Sequence, residues 1–331
     1  MQEIITAQAG ALQLALQEVG DAHIVRRLEK GVALCVGVSR PEDPIFLRHM
    51  CPATMEISLT GGMEDIQDLL GAFRLMLPVL KPEKGTFSIQ TRIMEGYHPE
   101  YKRFDVNTAL SEIVLAKGVT LDVKNPAQVV SVTLAKGNGW IGISKVGENI
   151  SAYAGGVRRY KQEEGQISRA EFKLLEAMET FGIAPQDGQH AIDLGAAPGG
   201  WTRILRRRGL YVTAVDPAAL DDRLKKDKRV THYVGTAQAY FRAAHDPCDM
   251  MVNDMKMDSA ESAALMVEGI GCLKPGGTGI LTLKLPEDVS EWRPRVDQAR
   301  EILQAAYTVR GMRQLFHNRN EVTVWLERPA E

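Results

Sequence analysis

The chain has 331 residues, 44% of them hydrophobic and 25% charged, which is typical of a globular protein with about two or three domains. Its net charge of −2 disfavours a generic nucleic-acid-binding protein, because such domains are usually strongly basic. The four cysteines form no C-x-x-C pair and no apolar run reaches about 18 residues, so we expect a soluble, cytoplasmic protein with no metal and no membrane partner.

The first half of the chain mixes short strand-like runs with helical stretches. The spacing of apolar residues predicts helices at 10–19, 64–80 and 106–117, and strict alternation predicts a strand at 86–92. Two further runs predict a hairpin around Gly137-Asn-Gly139, with strands at 128–134 and 140–144. Glycines then bracket a polar, charged linker.

From Ser168 the pattern changes to alternating strands and helices. Ser168-Arg-Ala-Glu171 is a capping box, which predicts a helix that runs to Phe181. Apolar runs predict strands at 191–194, 211–215, 249–253, 278–285 and 322–326. This order predicts a mostly parallel, doubly wound α/β sheet that binds ligands at the carboxyl ends of its strands.

A glycine-rich turn follows the first of these strands, in the sequence A-I-D-L-G-A-A-P-G-G-W-T at 191–202. Glycines permit a tight turn and close backbone approach, and the start of the next helix favours an anionic group such as a carboxylate. The spacing is not the G-x-G-x-x-G of dinucleotide sites. Asp193 would disfavour a pyrophosphate but suits the ammonium of a methionine moiety, and Asp216 ends the next strand, where ribose hydroxyls are bound.

These features predict a site for S-adenosylmethionine. The predicted contacts are the acid before the turn, the turn and helix start, and two acids at later strand ends: Asp193, Gly195, Ala196, Ala197, Pro198, Gly199, Gly200, Trp201, Asp216 and Asp254. We expect the Trp201 side chain to pack the donor-turn helix, so it need not touch the ligand.

Four charged residues stand where this sheet would bring them together beside the turn. Asp254 and Lys284 each end an apolar strand, Lys173 lies in the first turns of the capped helix, and Glu321 opens the last strand. A lysine at the end of an apolar strand is costly unless it is paired or functional. Two ordinary salt bridges are the alternative, but four such residues beside a methyl donor favour a catalytic cluster.

The second half of the chain resembles the FtsJ-like (RrmJ) ribose 2′-O-methyltransferases. The resemblance is carried by S-R-A-E-F-K-L at 168–174, D-L-G-A-A-P-G-G-W-T at 193–202, N-D-M at 253–255, L-K-L-P at 283–286 and N-E-V-T-V at 320–324. That family uses a Lys-Asp-Lys-Glu tetrad, which the resemblance places on Lys173, Asp254, Lys284 and Glu321. It implies a Rossmann-like domain and makes Lys284 the base.

Within the family the pattern is closest to the RlmM type, which methylates a ribose of large-subunit ribosomal RNA. That type implies two smaller α+β domains before the methyltransferase domain and RNA, not DNA, as the partner. We place the parts as follows: a ferredoxin-like domain at 1–80, a THUMP-like RNA-binding domain at 81–150, a linker at 151–167 and the FtsJ-like domain at 168–331. The same chemistry on transfer RNA, or a non-catalytic ribosome-assembly factor with a vestigial pocket, stays open, as does the oligomeric state.

Two features bear on the substrate and the adenine. In many relatives an acid after the third strand meets the adenine, but the sequence at 233–237 has none, so Thr236 or backbone groups would have to replace it. Basic runs at 206–208 and 223–229 are usually solvated helix faces. Because they flank one proposed site, they suggest a track for phosphates.

Overall fold

The computed structural model describes residues 1–79, 85–243 and 246–330. The chain divides into two compact units, Met1–Val157 and Arg158–Glu331. The predicted domain boundary at residue 80 lies outside the described residues. Within the described ranges, no helix is long and apolar enough to cross a membrane.

The first unit contains two sheets. The strands of the first are β1 (Glu3–Thr6), β2 (His23–Glu29), β3 (Val32–Val36) and β4 (His49–Pro52), with α1 (Leu12–Gln17) after β1. Those of the second are β5 (Met55–Ser58), β6 (Thr86–Ile93), β7 (Thr120–Leu121), β8 (Gln128–Ala135) and β9 (Asn138–Lys145), with α2 (Asp65–Met76) and α3 (Arg103–Leu115). The strand orders are β2-β3-β1-β4 and β5-β9-β8-β6-β7.

The two sheets divide the first unit at a different point from the predicted domains. Strand β5 and helix α2 lie within the predicted residues 1–80, yet β5 pairs with β9 and α2 packs into the core of the second sheet. The reason is hydrophobic: Leu69 and Phe73 of α2 are fully buried in the same cluster as Phe87. The predicted hairpin is confirmed, since β8 and β9 pair from Gln128 to Lys145.

The second unit is a Rossmann-like α/β domain, as predicted. Its strands are β10 (His190–Leu194), β11 (Tyr211–Val215), β12 (Val230–Tyr233), β13 (Cys248–Asn253), β14 (Leu273–Lys284), β15 (Thr308–Arg313) and β16 (Glu321–Glu327). The helices are α4 (Glu171–Phe181), α5 (Gly200–Arg207), α6 (Asp222–Lys225), α7 (Ala237–Phe241), α8 (Ser259–Glu268) and α9 (Trp292–Gln304). The strand order is β12-β11-β10-β13-β14-β16-β15.

The directions of these strands follow from their sequences. Strands β10 to β14 are mutually parallel, and the central ones are apolar on both faces because helices cover both sides of the sheet. Strand β16 runs antiparallel to β14. The capping box forms only in part: α4 begins at Glu171, whose carboxylate accepts the N–H groups of Ile167 and Ser168, while no side chain caps the helix.

Candidate active site

The sheet brings the four predicted charged residues to one edge. Asp254 follows β13 and Lys284 ends β14, so both stand at the carboxyl ends of parallel neighbours. Because β16 is antiparallel to β14, its first residue, Glu321, is the register partner of Lys284. Lys173 reaches this edge from the first turn of α4.

The four side chains form one network of ion pairs. Lys173 Nζ lies 3.3 Å from Asp254 Oδ1 and 2.8 Å from Glu321 Oε2. Lys284 Nζ lies 2.9 Å from Glu321 Oε1 and also contacts Asp254 Oδ1. All four side chains are between 14% and 18% exposed, so the cluster is largely shielded from water yet open to a substrate.

The electrostatics of the cluster favour a charged Lys173. Burial acts to lower the pKa of this ammonium, but the charges of Asp254 and Glu321 and the hydrogen bonds that they accept outweigh it, so the pKa is raised above its usual value. Lys173 is therefore an ammonium at neutral pH. It supplies a fixed positive charge at the edge of the sheet.

Thr282 also belongs to the cluster, although the sequence analysis missed it. Its hydroxyl lies 2.5 Å from Asp254 Oδ1 and 2.5 Å from Lys284 Nζ, and the residue is fully buried. Thr282 and Lys284 are two residues apart on β14, so their side chains leave the strand on the same face. That spacing is the signal that could have identified it.

The glycine-rich turn has the conformation that its sequence predicts. Gly195 and Gly199 have φ of +70° and +113°, in the left-handed region that favours glycine. A Cβ at Gly199 would lie 2.1 Å from Leu224 Cδ1, and one at Gly195 would lie 2.4 Å from Met255 Cγ. Helix α5 begins directly after the turn, at Gly200. The main chain of Ala196, Ala197 and Pro198 thus lies between two positions that only glycine can occupy without strain.

Two predicted acids hold the turn from different sides. Asp193 is 2% exposed, and its Oδ2 accepts a 2.6 Å hydrogen bond from the hydroxyl of Thr202. Burial, with a smaller contribution from the charge of Asp254, raises the pKa of Asp193 to about 7 despite that hydrogen bond. Asp216 accepts the N–H groups of Ala197 and Ala218, at 3.0 and 2.7 Å. Its part-exposed carboxylate keeps further lone pairs for ribose hydroxyls.

These features fit a methionine-bearing nucleoside. The turn is narrow because no Cβ is present at Gly195 or Gly199, and Asp216 stands where a ribose would be held. Trp201 is 3% exposed and donates its indole N–H to the carbonyl of Ala170 at 2.8 Å. The indole is therefore part of the core. The predicted contact of Trp201 with S-adenosylmethionine stays a prediction, and it would have to involve the main chain.

The segment after β12 has no acid for the adenine, as expected. Thr236 instead caps α7, because its hydroxyl accepts the N–H of Ala239 at 3.2 Å. Val234, at the same loop, is 70% exposed. An exposed valine and main-chain groups are thus what this loop offers to a ligand.

Most of the basic runs are neutralised by neighbouring carboxylates, which argues against a continuous phosphate track along them. The ion pairs join Arg206 to Asp227, Arg207 to Glu163, Arg223 to Asp221, Lys225 to Asp222 and Arg229 to Asp187. Ion pairs of exposed side chains contribute little stability.

Comparison with known proteins finds similarities to part of the chain. Residues 166–273 match the FtsJ-like methyltransferase family. Two curated relatives are both named "Ribosomal RNA large subunit methyltransferase M". The one from Azoarcus sp. (strain BH72) is 34% identical over 183 residues, 52% of this chain and 49% of that protein. The one from Cellvibrio japonicus (strain Ueda107) is 32% identical over 223 residues, 62% of this chain and 61% of that protein.

Among solved structures, TrmN from Thermus thermophilus is 17% identical, with a TM-score of 0.39, and the alignment covers 99% of this chain and 100% of that one. In sequence, the chain spans about half of the first curated relative's length.

Proposed function

We propose that the FtsJ-like methyltransferase domain of this chain transfers a methyl group from S-adenosylmethionine to the 2′-oxygen of an RNA ribose. The observation that carries the proposal is the network of Lys173, Asp254, Lys284 and Glu321 at the strand ends beside the glycine-rich turn. The family match to residues 166–273 supports the methyl donor. The names of the relatives support large-subunit ribosomal RNA as the substrate.

The residues divide the chemistry between them. A ribose hydroxyl is a weak nucleophile, so a base must remove its proton as the oxygen attacks. Lys284 is the base in this proposal: Nζ in its neutral form takes the proton as the oxygen–methyl bond forms and the sulfur–methyl bond breaks. Asp254 and Glu321 orient both lysines, and Lys173 keeps its positive charge because of the same two carboxylates.

The methyl donor supplies a sulfonium methyl group, and the chain supplies its binding site. The turn from Gly195 to Gly199, the start of α5 and Asp216 would hold the donor. Asp193 would pair with its amino group. Since Asp193 is almost completely buried, this pair would be shielded from water and would depend on the carboxylate being ionised.

The remaining parts of the proposal concern the substrate and the setting. The two sheets of the first unit would bind RNA, with the ferredoxin-like and THUMP-like parts that the sequence analysis predicts. The four cysteines are free and buried, which suits a reducing compartment such as the cytoplasm. Transfer RNA is the second candidate substrate, because THUMP-like modules also serve enzymes that modify it.

A matched pair of lysine variants tests the chemistry. Lys284 and Lys274 both lie on β14, and each forms an ion pair with an aspartate of the β13 region, but at opposite edges of the sheet. We expect Lys284→Met to lose methyl transfer to unmodified 23S ribosomal RNA by about 10²-fold or more, with its affinity for S-adenosylmethionine within about threefold of wild type. Lys274→Met should retain both.

The outcomes separate the candidates. A fully active Lys284→Met variant would refute the assignment of the base. Donor binding without transfer to any RNA by the wild-type chain would favour the non-catalytic alternative. Mapping 2′-O-methyl groups in ribosomal and transfer RNA from a strain that lacks this chain would then identify the substrate, since the missing modification marks it.

A further inference from the structure

We propose that Thr282 is a positioning residue for Lys284, and that its hydroxyl sets the direction from which Lys284 takes the proton of the substrate. This inference rests on the proposed function. It starts from a residue that is fully buried at the edge of the sheet yet keeps a polar side chain. A threonine hydroxyl is retained in such a place only when it is hydrogen-bonded.

The hydroxyl has only one arrangement that satisfies both neighbours. A carboxylate can only accept and an ammonium can only donate. Thr282 therefore donates its hydrogen to Asp254 Oδ1 and accepts one from Lys284 Nζ, each at 2.5 Å. The hydroxyl is thus oriented by its partners, and it forms a bridge between the base and the carboxylate.

The bridge is one of two hydrogen bonds that Lys284 donates. An ammonium has three hydrogens; Nζ donates to Asp254 Oδ1 and Thr282 Oγ1, and Glu321 Oε1 is an ion-pair partner at 2.9 Å. Asp254 and Thr282 therefore fix two of the three hydrogen positions on this nitrogen. The group is held in place, but it has no lone pair with which to act as a base.

Loss of one proton changes this balance. The neutral amine has two hydrogens and one lone pair, so it must give up one of its three partners. Because the hydrogen of Thr282 is already donated to Asp254, Thr282 continues to accept from Lys284 and does not fill the lone pair. The two remaining hydrogens stay on Asp254 and Thr282, so the lone pair takes the third position, and in this proposal that position faces the 2′-hydroxyl of the substrate.

The charged groups around Lys284 are supplied by several elements. Lys173 comes from α4, Asp254 from the end of β13 and Glu321 from β16. The backbone of Asp258 bridges that of Lys284, while its carboxylate pairs with Arg295 at 2.9 Å. Thr282 is the neutral member of the set, and its removal changes hydrogen bonding without adding or removing a charge.

The test compares three variants of the full chain in single-turnover methyl transfer to unmodified 23S ribosomal RNA between pH 6 and pH 9. Thr282→Val and Thr282→Ala remove the hydroxyl with different volumes, and Thr282→Ser keeps it. Loss of an acceptor disfavours the ammonium, so we expect the rising part of the pH–rate profile to move about one pH unit lower in the first two variants. The rate at its plateau should fall about tenfold, because the lone pair is no longer directed.

Thr282→Ser should restore both the plateau, within about threefold, and the wild-type position of the profile. All variants should bind S-adenosylmethionine as the wild type does, which separates positioning from a folding defect. An unchanged profile in Thr282→Val and Thr282→Ala, or a plateau within threefold of wild type, would overturn the inference.

A measurement without RNA keeps the inference distinct from the proposed function. With lysines labelled at Cε by carbon-13, the titration of the Lys284 signal should move to lower pH in Thr282→Val and return in Thr282→Ser; the missing signal of Lys284→Met assigns it. If the wild-type chain methylates no RNA but the Lys284 titration still moves in Thr282→Val, the proposed function is refuted and the role of Thr282 is not. A titration that is the same in all variants would refute the role of Thr282 alone.

Discussion

Replacement of Asp193 by asparagine should change how the stability of the second unit depends on pH. The carboxyl is 2% exposed, and burial raises its pKa from 3.8 to about 7. An unfolded chain therefore loses this proton near pH 4, while the folded chain keeps it until about pH 7. Between these values the folded state binds more protons, so its stability falls as pH rises.

The size of the effect follows from the two pKa values. A difference of about three pKa units between the folded and unfolded chain corresponds to about 4 kcal/mol in the free energy of unfolding. This contribution is fully present below pH 4 and is lost above pH 7. This is a ceiling, because local relaxation reduces it. An asparagine keeps an oxygen that accepts the Thr202 hydroxyl but cannot ionise, so the loss of stability between pH 4 and 7 should disappear.

The assay is urea unfolding of the full chain at pH 5 and pH 8. Unfolding is monitored by hydrogen exchange in peptides from β10 and α5, so that the measured stability is that of the second unit. We expect the wild type to lose up to about 2.6 kcal/mol between these pH values, since about two of the three pKa units lie between pH 5 and pH 7, and Asp193→Asn to lose much less. Asp249→Asn is the matched control. Burial acts to raise the pKa of Asp249, but the hydrogen bond from the His190 N–H and the charge of Lys274 outweigh burial, so the pKa is lowered. Any pH dependence of stability that Asp249 causes therefore lies below pH 4. Parallel losses in wild type and Asp193→Asn would refute the reasoning.

Three further predictions follow from the geometry. Gly199→Ala places a Cβ 2.1 Å from a leucine carbon at φ of +113°, so calorimetry should show a loss of affinity for the methyl donor of tenfold or more. The control Gly276→Ala, whose Cβ meets nothing within 4 Å, should bind the donor normally. Equal donor binding by the two variants would contradict the close fit at Gly199. Glu321→Gln removes the charge shared by both lysines, so steady-state kinetics should show kcat reduced by about 10²-fold with KM for the donor nearly constant, and an unchanged kcat would exclude it from catalysis. Tyr101→Phe removes a 2.9 Å hydrogen bond to a buried carboxylate, so denaturation should show a loss of about 1–3 kcal/mol with RNA affinity unchanged; weaker RNA binding by the folded variant would instead indicate that the hydroxyl contacts RNA.

The sequence predicts the candidate site better than it predicts the first unit. Asp254 and Lys284 stand out because a charge ends an apolar strand, and the family motifs add Lys173 and Glu321. Strand β15 was missed because its sequence, T-V-R-G-M-R, is one-third charged and lacks the alternation of a buried strand. Strand β15 is the outermost strand of the sheet, next to β16 only, and charged side chains on an outer strand can face solvent.

Long-range contacts account for the rest. No sequence pattern joins Tyr101 to Asp65, 36 residues away, yet that hydrogen bond explains why the tyrosine is 2% exposed. Thr282 was missed for a related reason: a threonine in a strand is an ordinary β-former, and only the position of Asp254 Oδ1 shows that its hydroxyl has a partner. Residue type identifies candidates, but register decides which of them meet.

Two ion pairs on the same two strand regions show why register, rather than residue type, makes this site. Asp249 pairs with Lys274 at one edge of the sheet and Asp254 pairs with Lys284 at the other, so the two pairs have the same chemistry. Only the second receives another lysine from α4 and a glutamate from β16. Had β16 run parallel to β14, its first residue would lie at the opposite edge, about 20 Å away over seven residues. The direction of that last strand therefore brings Glu321 to Lys284 and turns an ordinary ion pair into a cluster of four charged side chains.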